Sequence, residues 1–367
     1  MIQTQIITEA ELDVDRNTVD LFNDSIFKTF TAARKVIGNG ELLPYAVKTI
    51  VAQRFASKRR LEWRKRGLHV PPAIIFSVTK RCNLNCKGCY AHAQHRQSTD
   101  ISIERVSRLF DEAKELGTSI IVITGGEPLM RPEIIDLAYE YNDIIFPVFT
   151  NGLLINQTMA LMLRYNRNIV PMISLEGPRE VTDDRRGEGM YDRVSRKMKL
   201  LKNNGVFFGA SITVTTENME QVTSDEFVSE LCSLGVKAVV YVEYVPVDPE
   251  TEHLVLGTER RAILDERLES LRRQNKAVFI DFPGDEEKLG GCLAAGRGFI
   301  HVSQSGAVEP CPASPFSDAS LGGMSLKEAL NSRLLKKIRE TPLSLEESHS
   351  GCALYDKEEW VKSLVQG

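Results

Sequence analysis

The sequence predicts an α/β chain in which parallel βα units build a barrel or partial barrel, with a helical segment before it and a small hairpin-and-helix domain after it. Three observations lead there. From residue 73 onward short apolar runs alternate with helix-length segments, residues before 70 carry helical spacing without strand alternation, and the character changes again after about residue 285. A chain of 367 residues with 42% hydrophobic content can fill one such core and an appendage.

Residues 1–70 read as helical, with Val47, Ile50, Val51 and Phe55 spaced as one helix face. The segment closes on a basic run, Lys58, Arg59, Arg60, Arg64, Lys65 and Arg66. That run reads as a solvated helix face, with a docking surface for an acidic partner or a phosphate as the alternative. Pro71 and Pro72 end the helix. Strands are expected at 73–78, 119–124, 146–150, 169–175, 207–214 and 237–245, each separated from the next by a helix-length segment. Between the first two, Ser102 is the expected N-cap of a helix whose face is Ile103, Val106, Phe110 and Ala113. A later helix carries an expected capping box, Thr223 with Glu226, and stops at Gly235. Periodicity does not choose between a barrel and a doubly wound open sheet. Beyond a helix at 259–274 and a strand at 277–282, residues 299–302 and 307–310 form an expected hairpin across Ser303 to Gly306, and 325–339 an expected helix. The expected division is a helical segment at 1–70, a barrel at 71–285 and a small domain at 286–367.

The formal charge of −4 is small for this length and gives no global field for nucleic acid or an anionic membrane, so no nucleic-acid partner is expected. The first residues lack a basic stretch followed by an apolar one, and no uncharged run approaches the roughly 20 residues of a membrane span. A cytosolic location is therefore expected. In that compartment seven cysteines favour ligation over a disulfide framework. Cys82, Cys86 and Cys89 lie together, Cys292, Cys311 and Cys352 come late, and Cys232 stands alone. Two sites and one bystander thiol, buried on the apolar flank of its helix, are the expectation.

The first cluster, CNLNCKGC, follows the first strand, at the end of a barrel where βα loops gather chemistry. Thiolates favour iron–sulfur clusters or zinc, and three thiolates leave a zinc tetrahedron one ligand short unless His92 or His95 supplies it. The motif resembles the C-x3-C-x2-C signature of the radical S-adenosylmethionine (SAM) superfamily. The resemblance implies a partial (β/α)6 TIM-like barrel holding a [4Fe-4S] cluster on Cys82, Cys86 and Cys89, with SAM on the fourth iron. An electron from the cluster would then break SAM to a 5′-deoxyadenosyl radical that takes a substrate hydrogen, the cofactor carrying the hard chemistry. Four further segments match. Gly125, Gly126, Glu127 and Pro128 resemble the turn that meets the SAM amino group. Thr150 and Asn151 follow the third strand, Ser174 and Glu176 end the fourth against ribose and methionine, and Arg186 matches the arginine that pairs with the SAM carboxylate, with Arg185 as its rival. Family members carry an aromatic residue before the third cysteine, whereas this chain has Gly88 there and Tyr90 after it. Tyr241, Glu243 and Tyr244, near the end of the sixth strand, are the candidate catalytic and pocket-lining residues.

Cys292, Cys311 and Cys352 with the Gly306 to Cys311 segment resemble the SPASM and Twitch extensions of the same superfamily, which implies a second, auxiliary [4Fe-4S] cluster. Three cysteines leave one of its irons to another ligand: His349, His301, a solvent species or a substrate atom. The expected function is an enzyme acting on a small molecule and served by an electron donor such as flavodoxin or ferredoxin. Peptide maturation is the alternative substrate class, and a non-enzymatic iron–sulfur electron carrier is the alternative of another kind.

Overall fold

A computed structural model describes residues 43–93, 99–246, 249–341 and 352–366. Its centre is a ten-stranded sheet: β1 (Ala73–Ser77), β2 (Ile120–Thr124), β3 (Phe146–Thr150), β4 (Ile169–Leu175), β5 (Gly209–Val214), β6 (Ala238–Glu243), β7 (Val278–Phe282), β8 (Phe299–Val302), β9 (Ala307–Glu309) and β10 (Ala319–Ser320). The strand order is β10-β9-β8-β1-β2-β3-β4-β5-β6-β7, and β1 to β7 pair parallel in sequence order. A doubly wound sheet reverses its winding at a switch point, and these seven strands never do, so the arrangement is a partial barrel. Its edges, β10 and β7, do not pair with each other.

The sequence counted six barrel strands, and β7 adds a seventh because its register continues that of β6, with Val240 opposite Ile280. The hairpin also enlarges the sheet. Its first strand, β8, runs parallel to β1 with Ile75 opposite His301, and β9 returns antiparallel. Residues from beyond 298 therefore stand beside the first strand of the barrel.

Strand alternation sorts the side chains into two sets. Ile121, Ile123, Val148, Ile173, Ile212, Val239 and Tyr241 are buried under the helical layer. The paired positions Ser77, Thr124, Phe149, Ser174 and Val242 belong to the other, lumen-facing set.

Local signals behave unevenly. Ser102 caps the Ile103–Leu116 helix by accepting from Arg105 N–H, and Gly117 and Gly235 end their helices as expected. The capping box at Thr223 does not form. Ser224 is the N-cap and accepts from Phe227 N–H, while the Thr223 hydroxyl turns back to Met219 O. The helix expected over 325–339 is two, Leu326–Leu330 and Arg333–Arg339, because Ser332 starts a second cap. Cys232 is exposed, correcting its expected burial: it follows the core residue Leu231, and one helical step rotates it about 100° from that face.

The Leu43–Lys65 helix docks by its polar side. Val47, Val51 and Phe55 are exposed, whereas Thr49, Gln53, Ala56 and Arg60 are buried. Arg60 donates to Gly117 O at 2.6 Å and Arg59 to Lys114 O at 2.8 Å, so two members of the basic run cap the C-terminal end of the Ile103–Leu116 helix. Cations suit that negative pole. Among the described residues no helix is long and apolar enough to cross a membrane.

Candidate functional site

The loop after β1 carries Cys82, Cys86 and Cys89, all partly exposed. It is held from three sides. Gly126 N–H donates to Thr79 O at 2.6 Å and Glu127 N–H to Arg81 O at 2.8 Å, laying the turn after β2 directly on the cysteine loop. A Cβ on Gly125 would lie 2.4 Å from Thr79 O, and one on Gly126 would lie 2.2 Å from Arg81 O. The two glycines thus admit the loop's own backbone, a closer neighbour than the ligand that suggested them.

Glu127 then joins this turn to the next. Its carboxylate accepts from Thr150 Oγ1 at 2.6 Å, Asn151 N–H at 2.8 Å and Leu129 N–H at 3.0 Å, and it is buried. Burial pushes this carboxyl above its usual range against those three hydrogen bonds. Pro128 begins the one-turn 3-10 helix that follows. Asn151 reaches back with its side-chain amide to Asn83 Oδ1 at 2.7 Å, inside the cysteine motif. Sequence reasoning missed Asn83, although its place between Cys82 and Cys86 was a signal.

The third brace comes from the Arg179–Arg186 helix. Lys87 N–H donates to Arg185 O at 3.0 Å and Arg185 Nε to Lys87 O at 3.1 Å. Glu176, buried at the end of β4, takes Arg185 on one carboxylate oxygen and Arg186 on the other, Arg186 Nε at 2.8 Å. Arg186 stands close enough to Cys86 to draw its thiol down against the upward push of burial. Burial raises Cys82 as well. The two arginines therefore divide: Arg185 is tied to the loop backbone, and Arg186 faces the thiols. Ser174 lies on the lumen side of β4.

Tyr90 is half-buried beside the lumen, its hydroxyl 3.3 Å from Thr124 Oγ1. The three β6 candidates separate. Tyr241 is fully buried on the helix side and donates to Val222 O at 2.9 Å, and Glu243 on the same side pairs with Arg261 at 2.6 Å. Both are corrections to a lumen role, since alternation turns them outward. Tyr244, one residue past the strand, leans over the cysteine loop: a Cβ on Gly88 would lie 3.3 Å from its hydroxyl oxygen. Gly88 has φ +60°, which favours glycine.

A second group gathers around the hairpin. Ala295 N–H donates to Pro310 O at 3.0 Å, which brings the Cys292 turn against Cys311. Cys311 and Cys352 are buried, and a hydrogen bond from the Cys311 thiol lowers that of Cys352. His301 is not free for a metal: Nε2 is 2.8 Å from Ser77 Oγ and Nδ1 2.6 Å from Glu309 Oε2. That corrects its candidacy as a cluster ligand. His95 and His349 lie outside the described residues, as does the side chain of His92. Among the described residues no three His, Cys, Asp or Glu side chains are already closed to metal-binding geometry, and this is true of both cysteine groups.

The sequence model of the Radical SAM superfamily matches residues 76–228, the stretch from β1 to the helix before β6. The chain is 31% identical over 155 residues to Fe-coproporphyrin III synthase of Methanosarcina barkeri, covering 41% of this chain and 39% of that protein. It is 28% identical over 281 residues to the antilisterial bacteriocin subtilosin biosynthesis protein AlbA of Bacillus subtilis, covering 73% of this chain and 61% of that one. The chain thus spans less than two thirds of either relative. In fold it is similar to Streptococcus suis SuiB, solved bound to S-adenosylmethionine, with a TM-score of 0.65 at 19% identity over 82% of this chain and 75% of SuiB.

Proposed function

We propose that the chain is an enzyme of the radical SAM kind, which reductively cleaves SAM at a cluster held by Cys82, Cys86 and Cys89 and takes a hydrogen from a small-molecule substrate. When bound, the [4Fe-4S] cluster supplies the electron that breaks the carbon–sulfur bond of SAM and so releases the 5′-deoxyadenosyl radical. The observation that carries this reading is the interlocking of the turns after β2, β3 and β4 around one cysteine loop, through Gly126, Glu127, Asn151 and Arg185.

The residues' own work follows from that geometry. Gly125, Gly126 and Glu127 fix the loop whose three thiols, Cys82, Cys86 and Cys89, would hold the cluster. Arg186 is held on Glu176 through Nε and Nη2, which leaves Nη1 to donate to a carboxylate beside the thiols. Tyr244 stands at Gly88 and supplies the aromatic face for adenine that position 88 itself does not. Cys292, Cys311 and Cys352, in the 286–367 region, would hold the auxiliary cluster. An electron donor of the flavodoxin or ferredoxin kind serves the first cluster.

Peptide modification is the second reading. It is favoured by the 281-residue similarity to a bacteriocin biosynthesis protein, as the small-molecule reading is by the similarity to an Fe-coproporphyrin III synthase. The test is anaerobic reconstitution with iron and sulfide, then SAM and dithionite. Release of 5′-deoxyadenosine, abolished by Cys82→Ala, Cys86→Ala or Cys89→Ala with part of the iron retained, supports the enzyme and its two sites. No cleavage under any reductant leaves an electron carrier. A short precursor peptide encoded beside this gene that raises the 5′-deoxyadenosine yield and gains a mass change would replace the small-molecule substrate.

A further inference from the structure

The three late cysteines leave an auxiliary cube one protein ligand short, and the side chain that the structure brings to them is a carboxylate. Glu286 lies in the short 3-10 helix Gly284–Leu289 just before Cys292 and is 7% exposed. Its backbone carbonyl accepts from Gly291 N–H at 3.0 Å, closing the chain into a tight turn. Its Oε2 accepts from Leu293 N–H, also at 3.0 Å, so the carboxylate is folded back over the Cys292 peptide. The other oxygen, Oε1, is buried and has no hydrogen bond of acceptable geometry.

A buried acceptor left unmet costs about 1–3 kcal/mol, so an orphaned carboxylate oxygen is either strain or a ligand position. The neighbours favour a ligand. The thiols of Cys292 and Cys352 both lie within electrostatic reach of this carboxylate. Arg297 approaches the same turn, donating to Cys292 O at 2.5 Å and Gly290 O at 3.1 Å. A cation beside the turn suits a site that gathers negative charge.

We propose that Glu286, through Oε1, is the fourth protein ligand of the auxiliary cluster held by Cys292, Cys311 and Cys352, and that this cluster is closed rather than open to substrate. The proposal rests on the auxiliary-cluster reading above. Carboxylate oxygen is a harder donor than thiolate, but with three thiolates it gives the cube the same total ligand charge as four cysteines. The carboxylic proton leaves to solvent as the iron–oxygen bond forms, and no electron is transferred. Its role is positional and electronic, because the substrate then meets a coordinatively complete cluster.

The experiment uses the full chain carrying Cys82→Ala, Cys86→Ala and Cys89→Ala, reconstituted anaerobically so that only the second cluster remains. With Glu286 present, the reduced cluster's electron paramagnetic resonance spectrum is expected to stay unchanged on adding imidazole. Glu286→Ala should make the spectrum imidazole-sensitive or cost about one iron per cluster, leaving a three-iron species. Glu286→Cys should restore four irons and insensitivity with shifted g-values. Glu286→Gln keeps an acceptor for Leu293 N–H, so its loss of iron would report ligation and not the local fold. Imidazole sensitivity with Glu286 intact overturns the proposal. So does an unchanged iron count and spectrum in both Glu286→Ala and Glu286→Gln, or a site opened by His349→Ala instead. A triple-cysteine variant with no iron removes the auxiliary cluster itself and the proposal with it, an outcome distinct from iron present without Glu286 ligation.

Discussion

The hydroxyl of Tyr244 stands against Gly88, where an added Cβ would come within 3.3 Å of it, so the end of β6 and the cysteine loop share one contact. The same hydroxyl is 2.9 Å from Thr251 Oγ1, which holds the ring in place. Stacking of a base on an aromatic face contributes about 1–3 kcal/mol. Tyr244→Ala is therefore expected to weaken SAM binding to the reconstituted protein by roughly 5- to 150-fold, the equivalent of that range. Tyr244→Phe should stay near wild type. Isothermal titration under anaerobic conditions measures both, and equal affinity in the alanine variant would take the adenine away from this ring.

The two arginines on Glu176 should fail differently. Arg186→Ala is expected to lower SAM affinity through loss of a charge-assisted bond of about 1.5–3 kcal/mol, with the iron content of the first cluster largely kept. Arg185→Ala loses the contact to Lys87 O and should lower iron occupancy first. Iron assay alongside SAM titration separates them. Reversed outcomes would exchange their roles.

Gly126 tests the packing of the cysteine loop. A methyl group there meets Arg81 O at 2.2 Å, and a backbone carbonyl in a braced loop cannot swing aside as a side chain can. Gly126→Ala should cost at least about 1–3 kcal/mol, read as a lower thermal midpoint, and should reduce iron uptake. Gly323→Ala meets nothing within 4 Å and serves as the silent control. A Gly126→Ala protein with unchanged stability and iron content would contradict this contact.

Asp281 predicts a pH effect away from the clusters. Burial and then the Glu243 carboxylate push it up to about 8, with Asp285 and Asp265 adding to the rise and Arg272 opposing it. In the unfolded chain an aspartate titrates near 3.9. Between those values the folded chain holds a proton that the unfolded chain has released, so stability falls as pH rises from about 4 to about 8. Asp281→Asn should flatten part of that fall, with little difference near pH 4 and a higher thermal midpoint than wild type at pH 8. Glu286, also pushed to about 8 by burial, adds a slope of the same sign in the cluster-free chain. Identical pH profiles for Asp281→Asn and wild type would refute the buried proton.

What was readable in the chain was local. The cysteine spacing, the strand-end turns at 125–128 and 150–151, the Ser102 cap and the stop at Gly235 all depend on residues a few positions apart, and these stand where periodicity and turn chemistry put them. Short apolar runs also located the strands, because strands of a parallel sheet covered on both faces read as near-continuous hydrophobic segments. Which face is the lumen was not readable, since Tyr241 and Tyr244 are equally aromatic in sequence and only the helix layer over β6 turns the first away. Nor was the destination of long-range polar groups. Glu127 bonds the turn after β3, His301 meets Ser77 across 224 residues, and Glu286 folds over Cys292 with one oxygen unmet. Such pairings are selected by the burial of polar atoms, each of which must find whatever partner the folded sheet brings near. The sequence by itself therefore determined the chemistry available, three thiols on a βα loop and three more in the tail. Only the assembled sheet, which lays β8 against β1, decided which side chains share a site.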